Sequence, residues 1–124
     1  MKSVAEIQGN MAHAIGTMGY IRHQSGILLT DGVVQLREDA DCYWLIDAIA
    51  SYFPKHKEEF QVWELKVDQK SAVLTMVEDT GLPTKVKQEI EYTDFPLPDV
   101  EFYLQLGSAD GHTPDYILMF PREY

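Results

Sequence analysis

Residues 100–106 read VEFYLQL, with Val100, Phe102, Leu104 and Leu106 pointing one way and Glu101, Tyr103 and Gln105 the other. Such period-2 alternation marks a β-strand with one face in a core and one in water. The signature recurs on both sides of this stretch. Residues 60–67 place Trp63, Leu65 and Val67 on one face, and residues 71–77 follow after the short turn Asp68-Gln69-Lys70, as in a hairpin. Residues 86–92 set Val86, Ile90 and Tyr92 against Lys87, Glu89 and Glu91. Residues 116–120 supply a last strand, which Pro121 closes. Strands of this kind, bounded by turn residues, belong to an antiparallel sheet with one wet face.

Upstream the period changes. Residues 42–53, CYWLIDAIASYF, are apolar around most of a helical circumference, so this helix is expected to lie buried across the sheet, with Asp39 or Asp41 as its cap and Pro54 as its stop. Val4, Ile7, Met11, Ala14 and Ile15 share one face of an amphipathic helix over residues 4–15, ended by Gly16. From Gly16 to Gly32 the chain holds four of its eight glycines and reads as a loop with a short extended segment. A helix then runs over residues 32–38, capped by Thr30 or Asp31; a hairpin through Asp31-Gly32 is the competing reading. The expected fold is α+β: N-terminal helices packed on one face of a mostly antiparallel four- to five-stranded sheet, in a single domain over residues 1–124.

Bulk properties limit the function classes. At 124 residues, 45% hydrophobic and 24% charged, the chain suits one core and not a disordered segment. It has no apolar run near the ~20 residues of a membrane helix and no secretory leader pattern over residues 1–7. Its one cysteine, Cys42, cannot form an intrachain disulfide, so a cytoplasmic location is expected. Net charge is −10, and residues 31–124 carry 19 Asp and Glu against 8 Lys and Arg. That excess repels nucleic-acid phosphates and anionic lipid, so neither nucleic acid nor membrane is an expected partner; it suits a basic protein, or solubility alone.

Familiar catalytic and phosphate-binding motifs are absent, and His13, His23, His56 and His112 are not at metal-ligand spacing; no catalytic residue, metal or cofactor is expected. Arg22-His23, on the glycine-rich loop, could orient an anion and move a proton, or be paired off structurally. Asp47 interrupts the apolar helix on a stripe with Tyr43 and Ser51. Facing inward it would need a partner, with Arg22 or His23 the candidates; facing water it would be an ordinary surface carboxylate. Tyr20, Arg22, His23, Asp31 and Asp47 are therefore the candidate ligand-binding residues. Asp110-Gly111-His112 reads as turn chemistry, and Asp39 and Asp41 oppose activation of the Cys42 thiol at its helix N-terminus. The aromatic residues Trp44, Tyr52, Phe53 and Trp63 read as core.

The segments GYIRHQSGILLTDGV (19–33), YWLIDAIASY (43–52), EFQVWELKV (59–67), QEIEYTDFPL (88–97) and the closing PREY (121–124) together resemble an uncharacterised family of small bacterial, phage and plasmid proteins, a domain of unknown function. The resemblance spans residues 5–124 and implies an accessory protein carried on mobile elements. The leading expectation is thus a non-enzymatic regulatory module that binds a basic partner and mimics nucleic-acid charge toward it through Glu89, Glu91 and Glu101. The alternative is a small-ligand or enzymatic site where the loop from Gly16 to Gly32 meets the helix of residues 42–53. A homo-oligomer subunit is the third, and it predicts an exposed apolar patch or an unpaired edge strand.

Overall fold

The computed structural model describes residues 1–13 and 19–124. Along the chain come α1 (Val4–Ala12), β1 (Tyr20–Arg22), β2 (Leu28–Thr30), α2 (Asp31–Asp39), α3 (Tyr43–Ser51), β3 (Phe60–Asp68), β4 (Ser71–Val77), β5 (Thr84–Ile90), β6 (Asp99–Gly107) and β7 (Asp115–Met119). A 3₁₀ turn, Pro121–Glu123, follows β7. The fold is α+β, but among the described residues the sheet has seven strands in the order β1-β2-β7-β6-β3-β4-β5. All its pairs are antiparallel except β2 with β7, which is parallel.

The two extra strands correct the expectation of four to five, and of a helical half followed by a sheet half. They form a hairpin before α2, each only three residues long. A stretch that short cannot display an alternating pattern. β2 is also buried on both faces: Leu29 joins the main core, while Leu28 packs with Ile117, Met119 and Tyr103 on the opposite face. Its sequence therefore reads as an apolar run.

Helix ends follow local chemistry. Ser3 caps α1 by accepting from the Glu6 N–H, and His13 is the C-cap; the expected last turn through Ala14 and Ile15 and the stop at Gly16 lie outside the described residues. Thr30 Oγ1 accepts from the Val33 N–H and starts α2, so the Asp31-Gly32 hairpin does not form. Neither Asp39 nor Asp41 caps α3. Its N-cap is Cys42, with no side-chain cap bond; Asp41 has φ +50° in the connection, and Asp39 is turned inward. There Asp39 accepts from Asn10 Nδ2 and Gln35 Nε2, each at 2.7 Å, and pairs with Lys2 Nζ at 3.1 Å, which ties α1 to α2. α3 ends at Ser51, two residues before expectation, as i→i+3 bonds from the Tyr52 and Phe53 N–H groups lead into Pro54.

Ile7, Val33, Leu36, Leu45, Ile46 and Ile49 from the helices share one core with Leu29, Trp63, Leu65, Leu74, Met76, Phe102, Leu104 and Leu118 from the sheet. The opposite sheet face carries Glu64, Lys66, Lys87, Glu89, Asp99, Glu101 and Tyr103.

Candidate functional site

Sequence reasoning singled out the loop from Gly16 to Gly32 and the helix of residues 42–53; residues 16–18 lie outside the described residues, and the structure brings parts of the rest, the β1–β2 hairpin and α3, together. His23 closes the hairpin turn, donating its N–H to Ile27 O at 2.8 Å while its own carbonyl accepts from the Gly26 N–H at 2.9 Å. Gly26 has φ +104°, a conformation that favours glycine. The His23 side chain lies on the helix side of the sheet, only 7% exposed, and its Nε2 is 2.8 Å from Asp47 Oδ1. The Tyr43–Asp47–Ser51 stripe faces water, with the Asp47 side chain 59% exposed. The carboxylate nevertheless reaches back over the hairpin to the buried imidazole.

Ser25 completes a hydrogen-bonded row that sequence reasoning passed over. Ser25 Oγ lies 2.9 Å from His23 Nδ1 and the Ser25 backbone N–H donates to the same nitrogen at 3.0 Å. A neutral imidazole has one acceptor nitrogen. With a main-chain donor on Nδ1, the ring proton sits on Nε2 and points to Asp47. The lone pair that a serine nucleophile would need is thus already engaged by the turn. This Ser–His–Asp row is a clamp that fastens the hairpin to α3.

Arg22 points to the other face, where Nη1 donates to Gly26 O at 2.8 Å and to Asp115 Oδ1 at 3.1 Å. Tyr20 is half-exposed at the start of β1, and Asp31 opens the first turn of α2 near Glu123. None of these five candidates lines either of two clefts among the described residues, of about 530 and 420 Å³.

The larger cleft, about 530 Å³, lies between α1 and the start of β6. β7 ends at Met119, opposite Tyr103, so among the described residues, 99–101 have a ladder neighbour only on the β3 side. Met11, Leu97, Val100 and Phe120 give the cleft an apolar floor, and Asp99 and Glu101 bring carboxylates to it. Glu101 stands directly opposite Glu64 in the β3–β6 ladder. Burial, then the charges of Glu64 and Asp99, push its carboxyl above the ordinary range. Lys66 reaches Glu64 at 3.7 Å, but among the described residues neither Asp99 nor Glu101 has an ion-pair partner. Arg122, also at the cleft, donates to Ala12 O at the end of α1.

Glu89, Glu91 and Glu101 are all exposed. Glu91 falls just beyond β5, and Glu89 and Glu101 sit three strands apart, about 14 Å at normal strand spacing. Lys66 and Lys87 stand in the rows between them, so the three do not form an unbroken acidic track.

Other singled-out groups have structural roles. Cys42 is buried against Leu36 O; burial first, then the Asp41 charge, push its thiol up to about 12. The Thr113 and His112 N–H groups and the Ser108 hydroxyl all donate to Asp110 Oδ1, in that order the main causes of a carboxyl well below its usual range. That is turn chemistry. No cluster among the described residues could hold a metal ion. The closing PREY is a clasp: Arg122 binds the end of α1, Glu123 accepts from Thr30 Oγ1 and the Phe120 N–H, and Tyr124 stacks edge-on with Phe60 and Tyr103.

The chain belongs to a family of unknown function (DUF6876), whose model matches residues 5–124. Comparison with curated proteins and with solved structures found no match.

Proposed function

We propose that this member of DUF6876 is a non-enzymatic accessory protein that binds a basic segment of a protein partner in the cleft between α1 and β6. The observation that carries the reading is an apolar floor beside two carboxylates, Asp99 and Glu101, that have no ion-pair partner among the described residues. A lysine or arginine suits such a place, its aliphatic stem on Met11, Leu97 and Val100 and its head at the carboxylates. An incoming cation would also offset the repulsion that Glu64 and Asp99 exert on Glu101, which favours a basic ligand at this place. The −10 net charge would speed encounter with a basic partner. The interrupted acidic rows favour this local recognition over mimicry of a nucleic-acid backbone, and the engaged Nδ1 of His23 weighs against catalysis at the hairpin. A single cysteine supports work in a reducing compartment, the cytoplasm.

The test is an NMR titration with short lysine- and arginine-containing peptides, and an uncharged peptide as control. Shifts concentrated at Gln8, Asp99–Glu101 and Arg122, lost in an Asp99→Lys/Glu101→Lys variant, support the proposal. Weak shifts spread over all surface carboxylates, unchanged in that variant, overturn it.

A further inference from the structure

The free edge of β5 carries a charge pattern that is complementary to itself. Among the described residues β5 is the last strand of the sheet and pairs only with β4. Its regular part, residues 86–90, reads VKQEI: an apolar residue, a lysine, a glutamine, a glutamate and an apolar residue, antisymmetric about Gln88. Lys87 and Glu89 lie on the outer face, both exposed, and among the described residues neither takes part in an ion pair. Val86, Gln88 and Ile90 face the helices, where Gln88 Oε1 accepts from Tyr52 Oη at 2.8 Å.

We infer that β5 is a self-association edge, and that its occupant is β5 of a second copy of this chain. Two copies of one edge strand related by a two-fold axis normal to the sheet must pair antiparallel, with residues of the same face opposite one another. With the axis at Gln88, Lys87 meets Glu89 of the second copy and Val86 meets its Ile90, each contact occurring twice. Moving the axis to Lys87 sets Lys87 against Lys87, and the Glu89–Lys85 pairs that it offers in return draw on a lysine already held by Glu58 and Glu78. Moving it to Glu89 sets Glu89 against Glu89, and its Lys87–Glu91 pairs reach past the end of the strand at Ile90. The axis at Gln88 is the register that adds opposite-charge pairs within the strand with no like pair, and the joined sheet has its two helical layers on the same side. Tyr92, 69% exposed just past the strand, falls opposite Thr84 of the second copy. Lys85 is not needed: it sits at the register shift beside Met76 and Val77 and is held by Glu78 at 3.0 Å and Glu58 at 3.3 Å. Edge strands are commonly blunted with lysine alone, which repels a like edge. Here a lysine and a glutamate are placed two residues apart on one face, which repels most edges but accepts this one.

The experiment is sedimentation equilibrium on the full chain, wild type and charge variants, with circular dichroism to check the fold. The wild type is expected to dimerise, more weakly at high salt. Lys87→Glu and Glu89→Lys each turn both symmetric attractions into repulsions, and each should weaken self-association about tenfold or more. Mixing the two variants restores the pairing as a heterodimer, as does the double charge swap in one chain. Folding defects cannot give that reciprocal rescue. A wild type that stays monomeric up to millimolar concentration overturns the inference. So does a dimer that either single variant leaves unchanged, and so does a mixture that remains monomeric.

Discussion

Glu101 should be kept at a cost to stability, and replacing it by glutamine measures that cost. Two carboxylates directly opposite in an antiparallel pair repel, and here Glu64 and Glu101 do so with Asp99 on the next outward position. The site is exposed, so the repulsion is solvent-screened, and about 0.5 kcal/mol is the scale for one such pair. In a chain of 124 residues that corresponds to a rise in Tm of about 2 °C for Glu101→Gln at neutral pH. The pH dependence has a definite sign. The folded state raises the Glu101 pKa, so it holds the proton more tightly than the unfolded chain does. Stability from this residue is therefore greatest below the unfolded value, about pH 4.3, and falls as pH rises through the folded value. The gain in Glu101→Gln should appear above that window, vanish below it, and shrink in high salt. Thermal unfolding of both proteins at pH 3.5 and pH 7, each at low and high salt, reads all of this. A glutamine variant less stable than wild type at pH 7, or one whose gain ignores pH and salt, would show that Glu101 is not repelled by its neighbours.

Asp39→Ala removes the shared acceptor of Asn10, Gln35 and Lys2 and should lower stability by about 3 kcal/mol in urea unfolding. Burial raises the Asp39 pKa, but the bonds from Asn10, Gln35 and Lys2 outweigh it and hold the carboxyl low; its contribution is full above pH ~4 and fades as pH falls through the folded value. Cys42, with its thiol near 12, should resist iodoacetamide at pH 8 in the native protein and react readily in urea, as read by mass spectrometry. Asp47→Ala should lower stability by about 1 kcal/mol through loss of the bond to His23, whereas Ser25→Ala keeps the backbone donor on Nδ1 and should change stability by less than about 0.5 kcal/mol. A loss of stability in Ser25→Ala equal to that in Asp47→Ala would mean that the hydroxyl, not the turn, orients the ring.

β3, β4, β5 and β6 were legible because each keeps one face in the core: β3, β4 and β6 lie within a residue or so of their period-2 patterns, and β5 is offset by two. β7, buried on both faces like β2, was legible instead as a five-residue apolar run closed by Pro121. β1 and β2 were not, since three residues bounded by glycines carry no period, and a strand buried on both faces loses its alternation. The Asp47–His23 contact was half legible. An ionisable residue in an apolar helix asks for a partner, and His23 was one of two named; that the stripe faces water while its partner is the buried group depends on how α3 lies across the hairpin. Ser25 escaped notice because its role comes from a backbone donor within a turn. The acidic cleft was out of reach for a different reason. Glu64, Asp99 and Glu101 meet only through the β3–β6 register, and the pairing of strands over thirty residues apart is set by the whole sheet. In the same way, the antisymmetry about Gln88 acquires meaning only once β5 is known to be an edge.

The two proposed surfaces constrain each other in a way that can be measured. β5 is separated from β6 by β3 and β4, and the cleft lies on the far side of β6, between it and α1. A dimer joined along β5 therefore leaves both clefts open. Two sites on one rigid sheet bind a partner with two basic segments in succession, the second at an effective concentration set by the linker between them. A peptide carrying two such segments, joined by a flexible linker long enough to span the clefts, should bind the wild type about 100-fold tighter than either segment alone. Lys87→Glu should abolish that gain while leaving the single-segment affinity unchanged, since Lys87 does not line the cleft. Equal affinity of the wild type for one and two segments, across a series of linker lengths, would separate the surfaces: either the chain does not dimerise along β5, or its clefts do not face positions one partner can bridge. Sedimentation of the same samples distinguishes these, because only the first leaves the free protein monomeric.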